Sequence, residues 1–370
     1  MRVEQFVETP PGVQQPGIDL VLAFGDPDTY GAQYPALRAC FPNALIAGCS
    51  GAGEIAAERV DDFPLVLTAI DFAKSRLAFS HVALADHLGD SRAAGRALGA
   101  ALPKDGLRHI LLLAEGLHVN GSALIQGISE SLPDSVQVTG GLAGDGPRFH
   151  ATHVYCNEQI STEGLLAIGL YGDALRVGYG SQGGWDCFGP ERLITSSEGN
   201  VLFTLDDKPA LELYKSYLGE HASELPAAGL KFPLALRGPD GKPGVVRTIL
   251  AVDEADGSMT FAGDMPQGSY ARLMRANFER LVDGAASAAH HAVDTLKGGD
   301  AELAILISCV GRRMVLGQAV EEEVEAVRES LGDKPVFCGF YSYGEISPMH
   351  DGGACSLHNQ TMTITTLREQ

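Results

Sequence analysis

The sequence predicts a mixed α/β (α+β) protein of two internally similar lobes, each a mixed sheet with outer helices, and three observations carry that prediction. First, Ile46, Ala47, Gly48, Cys49, Ser50, Gly51, Ala52, Gly53, Glu54 and Ile55 share a plan with Val336 through Ile346. Both have an apolar run that reads as a buried strand, a glycine, a small polar residue, and then Gly-Glu-Ile. Second, helical and strand-like runs alternate, but the strands come singly and also as close pairs, which does not suit a purely parallel doubly wound sheet. Third, 370 residues at 45% hydrophobic content suffice for two domain-sized cores.

In chain order, residues 18 to 25 form a short apolar run that reads as a buried strand, and a brief helix from Tyr34 to Phe41 returns the chain to a strand over Ala44–Gly48. Leu65–Phe72 and Leu77–Leu84 are β-rich and closely spaced, so they are expected as an antiparallel hairpin. Ala93–Leu102 is Ala-rich and helical, and His109–Ala114 is an apolar strand. Asn120-Gly121-Ser122 ahead of an apolar run caps a helix, whose free N–H groups face the loop Glu115–His118, a natural place for an anionic or polar group. Ala151–Cys156, Gly164–Leu170 and Leu175–Gly180 read as a meander. The first lobe, 18–183, closes near Gly183-Gly184, and the second, 184–370, follows. There Ala210–Leu218 is helical, Pro226–Pro243 is a Pro/Gly-rich loop, and Asp256-Gly257 turns a hairpin between Val246–Val252 and Ser258–Phe261. Tyr270–Leu296 has helical spacing and is the longest helix. Glu302–Val310 is a strand, Glu321–Leu331 an amphipathic helix and Thr361–Thr366 a closing strand.

A formal charge of −20 repels phosphate backbones and anionic lipid surfaces, so neither nucleic acid nor a membrane is expected as a partner. The first residues lack a signal-peptide core, and no run approaches the roughly 18 apolar residues of a membrane span, which points to the cytoplasm. Seven cysteines scattered singly do not form a disulfide framework.

Several residues have chemistry to offer. Glu54 and Glu345, each after a glycine at a strand exit, are hydrogen-bond acceptors where a backbone can approach a ligand closely. Cys49, flanked by glycines, is either a nucleophile on a tight turn or a buried structural thiol. Arg312 offers a fork of donors to a carboxylate or pairs with the acidic run Glu321–Glu323, while Phe340, Tyr341 and Tyr343 form an aromatic wall or core. Eleven histidines are available for a metal or haem.

Gly339–Pro348, Leu357–Thr363 and Ser308–Arg312 together resemble the C-terminal half of the F-box and intracellular signal transduction (FIST) sensor family. Gly48 to Glu54, Val119–Ser122 and Gly140–Asp145 resemble its N-terminal half. The resemblance implies a sensor rather than an enzyme, with Cys49, Ser50, Glu54, Asn120 and Asp145 against a ligand. The chain carries no kinase, cyclase or methyl-accepting segment, and in that it resembles the stand-alone, NosP-like members that bind haem, sense nitric oxide and act on a histidine kinase. That likeness implies non-covalent haem b, with His358 as the axial metal ligand ahead of His118, His150 and His153, and with Tyr341, Tyr343, Arg312 and Glu345 around the cofactor. A homo-oligomer is compatible with it. Two other readings stand beside it: a sensor of a small polar metabolite such as an amino acid, and a cysteine-dependent hydrolase at Cys49. His358 itself has a structural alternative, a ring that only hydrogen-bonds the loop from Tyr343 to Pro348.

Overall fold

The computed structural model describes residues 1–239, 243–349 and 351–370. The first stretch of chain lays down β1 (Arg2–Val7), β2 (Leu20–Gly25), helix α1 (Pro27–Cys40), β3 (Leu45–Cys49), a small hairpin of β4 (Glu54–Ala56) and β5 (Arg59–Asp61), and β6 (Leu65–Asp71). The next stretch repeats the plan. It has β7 (Arg76–Ala83), α2 (Ser91–Ala101), β8 (Leu107–Ala114), α3 (Gly121–Ser129), β9 (Gln137–Leu142), the hairpin β10 (Val154–Cys156) with β11 (Gln159–Ser161), and β12 (Gly164–Tyr171). A third stretch opens with β13 (Leu175–Gln182) and is interrupted by an inserted sheet, strands β14 to β22, running from Trp185–Cys187 to Tyr270–Ala276 and carrying α4 (Ala210–Leu218). It resumes with α5 (Phe278–Leu296), β23 (Leu303–Cys309), α6 (Val310–Leu316), α7 (Glu321–Leu331), β24 (Val336–Ser342), the hairpin β25 (Gly344–Pro348) with β26 (Cys355–His358), and β27 (Met362–Glu369).

Three six-stranded sheets follow, ordered β1-β6-β2-β3-β10-β11, β7-β12-β8-β9-β25-β26 and β13-β27-β23-β24-β4-β5. In each, two parallel central strands (β2 and β3, β8 and β9, β23 and β24) are flanked by an antiparallel return strand, and a hairpin from a different unit completes the edge. The central strands are buried on both faces, which is why they read as unbroken apolar runs.

The molecule is therefore mixed α/β with outer helices, as expected, but the internal repeat occurs three times, not twice. The second unit escapes notice because it lacks Gly-Glu-Ile: Val154 stands opposite Cys49 where Glu54 stands opposite Phe340 and Glu345 opposite Gly141. What all three units share is one glycine. A Cβ on Gly48, Gly140 or Gly339 would fall 1.6, 1.8 or 1.7 Å from the carbonyl oxygen of Ala23, Leu112 or Leu306 on the parallel neighbour. No other residue fits there. The strand exits that follow are tied in a ring by Gly144 N–H to Ser50 O (3.0 Å), Tyr343 N–H to Leu142 O (3.2 Å) and Ala52 N–H to Tyr341 O (2.7 Å). The units share their core as well as their edges: Phe24 of the first packs on Phe340 of the third, with ring centroids 4.9 Å apart.

Local expectations fare unevenly. Ala210–Leu218 and Glu321–Leu331 are helices as read, and Asn120 caps α3 by accepting from Ala123 N–H at 3.1 Å. The strand pair joined by Asp256-Gly257 also forms, although its first strand starts at Ile249. The expected hairpin at 65–84 does not form, because β6 pairs with β1 and β2 while β7 pairs with β12 in another sheet. Nor do β10, β12 and β13 make a meander: each joins a different sheet. Tyr270–Ala276 is a strand, and the long helix begins only after Asn277, which caps it. The loop expected over 226–243 contains a 3-10 turn at Ala227–Lys231 and a strand at Leu234–Arg237, and its residues 240–242 lie outside the described residues, as does His350. The lobe boundary at 183/184 falls between β13 and β14, where the chain leaves the threefold body for the inserted sheet. Among the described residues, no helix is long and apolar enough to cross a membrane.

Candidate functional site

Where the first strand exit meets the loop between β9 and β10, an open cleft of about 570 Å³ is lined by Asp26, Ser50, Gly51, Gly53, Glu54, Asp62, Gly144, Asp145, Arg148, His150 and His153. The loop is an extra segment of the second unit that folds over the first. Asp145 shapes it: one carboxylate oxygen accepts from Phe149 N–H (3.0 Å), and the other from His150 N–H (2.8 Å) and Ala151 N–H (3.1 Å). Tyr343 donates its hydroxyl to Asp145 Oδ1 and stacks on Phe149 at 4.8 Å. Ser50 then clamps the loop to the strand exit, accepting from His153 N–H at 3.0 Å and donating to Gly144 O at 2.9 Å.

Glu54 is the group this frame leaves open. It is 4% exposed, lines the cleft, and has no ion-pair or side-chain hydrogen-bond partner among the described residues, only the Gly51 backbone N–H beside it. Burial raises its pKa to about 8, Asp62 and Asp26 push the same way, and Arg313 partly opposes them. Glu54 is therefore mostly protonated at neutral pH. Arg313 lies over Gly53 and is held by Ala52 O and Asp62 Oδ1, both at 2.7 Å. His153, which also lines the cleft, has its Nδ1 buried without a partner among the described residues, and burial lowers the pKa of the ring. Arg148 extends into solvent from the rim, its side chain 69% exposed.

The residues singled out from the sequence divide. Ser50, Glu54 and Asp145 line this cleft. Cys49 does not: it is buried in the shared core, and burial, then Glu54, raises its thiol pKa well above the ordinary value, so no thiolate is ready for attack. Asn120 is spent on its cap and on Asp264, 2.7 Å away. The loop Glu115–His118 is closed to an anion, because the buried Glu115 carboxylate accepts from Leu117 N–H (2.9 Å), His118 N–H (2.8 Å) and Val119 N–H.

The residues expected around a haem form a packed interior. Arg312 and Glu323, both fully buried, pair at 2.7 Å, and Tyr341 (2.5 Å) and Ser308 (3.0 Å) donate to the same carboxylate. Glu345 accepts from Ser342 Oγ (2.6 Å), Thr361 N–H (3.1 Å) and Thr361 Oγ1 (3.0 Å). His358, 2% exposed, places Nε2 2.9 Å from Ser347 O, and burial lowers its pKa to about 4. The ring is thus neutral, and its Nε2 donates to a carbonyl of the strand it pairs with, the structural role weighed for it above. The other histidines considered, His118, the exposed His150 and His153, lie in the loops before α3 and between β9 and β10 and not on β26 with His358.

Asp26, Asp62 and the cleft-facing role of Arg148 were missed. Asp26 was visible as the acidic residue ending a strand and capping α1 at Thr29 N–H (2.8 Å). Asp62 and Arg148 carried no signal, since each lies in a short polar connection whose place depends on which units touch.

The profile of the FIST N domain matches residues 19–208, and that of the FIST C domain matches residues 210–348. Two uncharacterized proteins of Mycobacterium tuberculosis, MT0656 and Rv0628c, are each 24% identical over 341 residues, covering 89% of this chain and 85% of theirs. A cyanuric acid hydrolase from A. caulinodans aligns over 100% of this chain and 99% of its own at 9% identity and a TM-score of 0.40, a likeness too loose to carry an argument.

Proposed function

The chain belongs to the FIST family of signal-transduction sensor domains, and from that premise we propose that it is a signal-input protein taking a small polar ligand with a cationic or hydrogen-bond-donating nitrogen in the cleft at Glu54. One observation carries this reading. Glu54 is a nearly buried carboxyl without a side-chain partner, and it faces open volume. A buried carboxyl is normally met by several donors, so one that has only a backbone N–H and lies on a cleft wall is the place for a donor from outside. Asp26 adds negative charge, Asp62 being paired with Arg313, and Arg148 on the rim, whose Nε lies 3.9 Å from Asp145, keeps its Nη groups for a carboxylate. An amino acid satisfies both ends. The protein then acts as a binder that passes its signal to a partner such as a histidine kinase, with no chemistry at Cys49.

Thermal-shift measurements against amino acids and small amines test this. At least one of them should stabilise the wild-type protein, and Glu54→Gln should abolish the shift while the unliganded variant still melts cooperatively. A shift that survives in Glu54→Gln contradicts the proposal. Haem with nitric oxide as the signal is the alternative, and it has its own readout. If protein expressed with haem supply shows a Soret band, the signal enters through haem and not through this cleft.

A further inference from the structure

A second cleft, of about 690 Å³, lies among α3, the segment leading into β9, the inserted sheet and β26. Arg247 of the inserted sheet lines it and is 5% exposed. Its hydrogen bonds all go to neutral oxygens: Nε to Asp264 O (3.1 Å), Nη1 to Val246 O (3.2 Å) and Leu357 O (3.0 Å), and Nη2 to Ser122 Oγ (3.1 Å). Among the described residues it has no ion-pair partner. The Asp264 carboxylate instead takes the Asn120 amide at 2.7 Å. A guanidinium has five N–H donors, and these bonds leave one on Nη2 unused. Burial lowers its pKa to about 10, partly opposed by the nearby Asp264 charge, so it remains a cation at neutral pH, with no carboxylate in hydrogen-bond contact among the described residues. A buried charge that touches no carboxylate is costly, and an anion in direct contact would offset that cost.

The rest of the lining narrows the class of anion. Ser122 Oγ already accepts from Arg247 and from Asp264 N–H (3.2 Å), so its own hydrogen is free to donate. Ile125, Leu132, Val138, Val245 and Leu357 make apolar walls, while Asp134 borders the cleft and disfavours a ligand of higher negative charge; Glu130, also at its border, is held by Arg92 and Arg96. We propose that this cleft binds an organic monocarboxylate with an apolar body, the carboxylate held by Arg247 and Ser122 and the hydrocarbon lying along Ile125, Val138 and Leu357. The ligand then bridges α3 of the second unit, β26 of the third and the inserted sheet. It is a separate site from the cleft at Glu54, and it would fix the inserted sheet against the threefold body.

Octanoate is the probe, with octanol and inorganic phosphate as controls, measured by isothermal titration calorimetry on the full chain. Octanoate should bind saturably, and both controls should bind at least about tenfold more weakly, the range set by a charge-assisted hydrogen bond. Arg247→Met should lose the preference for octanoate over octanol. Because that substitution also removes structural bonds, Gln126→Trp provides a second variant: it fills the cleft from the exposed face of α3 and should abolish octanoate binding with Arg247 intact. No octanoate binding to wild type at about 10 mM, equal binding of octanol, or unchanged binding to Gln126→Trp overturns the proposal.

Discussion

Two strand exits carry the same residues, Gly53-Glu54-Ile55 and Gly344-Glu345-Ile346, at equivalent places in their units, and they serve different ends. At both, burial raises the glutamate pKa to about 8. At the third-unit exit, Ser342 and Thr361 fill the carboxylate, and the residues around it form a closed network. At the first-unit exit, the loop of the second unit stands off and leaves Glu54 facing open space. The motif therefore specifies a backbone arrangement, while the neighbouring unit decides whether the carboxyl is structural or available.

The comparison breaks most visibly on the closed side. Removing Glu323 leaves Arg312, fully buried, without its counter-charge, and Glu323→Ala should cost about 3–5 kcal/mol in chemical denaturation. Glu345→Ala, which strands the donors of Ser342 and Thr361, should cost about 3 kcal/mol. The matching Glu54→Ala should cost under about 1 kcal/mol, because no side chain loses a partner. Equal losses at the two glutamates would show that the exits are alike after all.

Acidity provides a finer distinction. A carboxyl whose folded pKa is raised to about 8 holds a proton that the unfolded chain releases near its ordinary value of 4.5. Its contribution to stability is therefore greatest at low pH and is lost as pH rises from about 4.5 to about 8. Glu345→Gln should flatten that fall, seen as a smaller change in denaturation midpoint across the window, and Glu54→Gln should flatten it too. The difference between them should appear only with ligand present.

Much of the fold could be read from the chain because its signals are local. Apolar runs marked the central strands, and Asn120 announced the start of α3. The exchange of hairpins between units could not be read, since β4, β10 and β25 each pair with a strand far away in sequence and a turn residue reports a reversal, not its partner. The same limit governs the site. Glu54 announced itself through the glycine before it and Ser50 through the family resemblance, whereas Asp62 and Arg148 become neighbours only when the second unit folds over the first. His358 was singled out for lying in Leu-His-Asn-Gln-Thr, and there the motif ties the interior together: Asn359 donates to Tyr343 O at 2.9 Å and Gln360 to Leu230 O at 2.8 Å.

The most direct test of the open exit is the pH dependence of ligand affinity, measured by calorimetry with whichever amine or amino acid stabilises the wild type. A cationic group binds the ionised carboxyl, so affinity should climb as pH rises toward about 8 and then level off. In Glu345→Gln the climb should persist, and in Glu54→Gln it should vanish along with most of the binding. A wild-type affinity that is flat across this range, or a climb that survives in Glu54→Gln, would contradict the assignment of Glu54 as the group that meets the ligand.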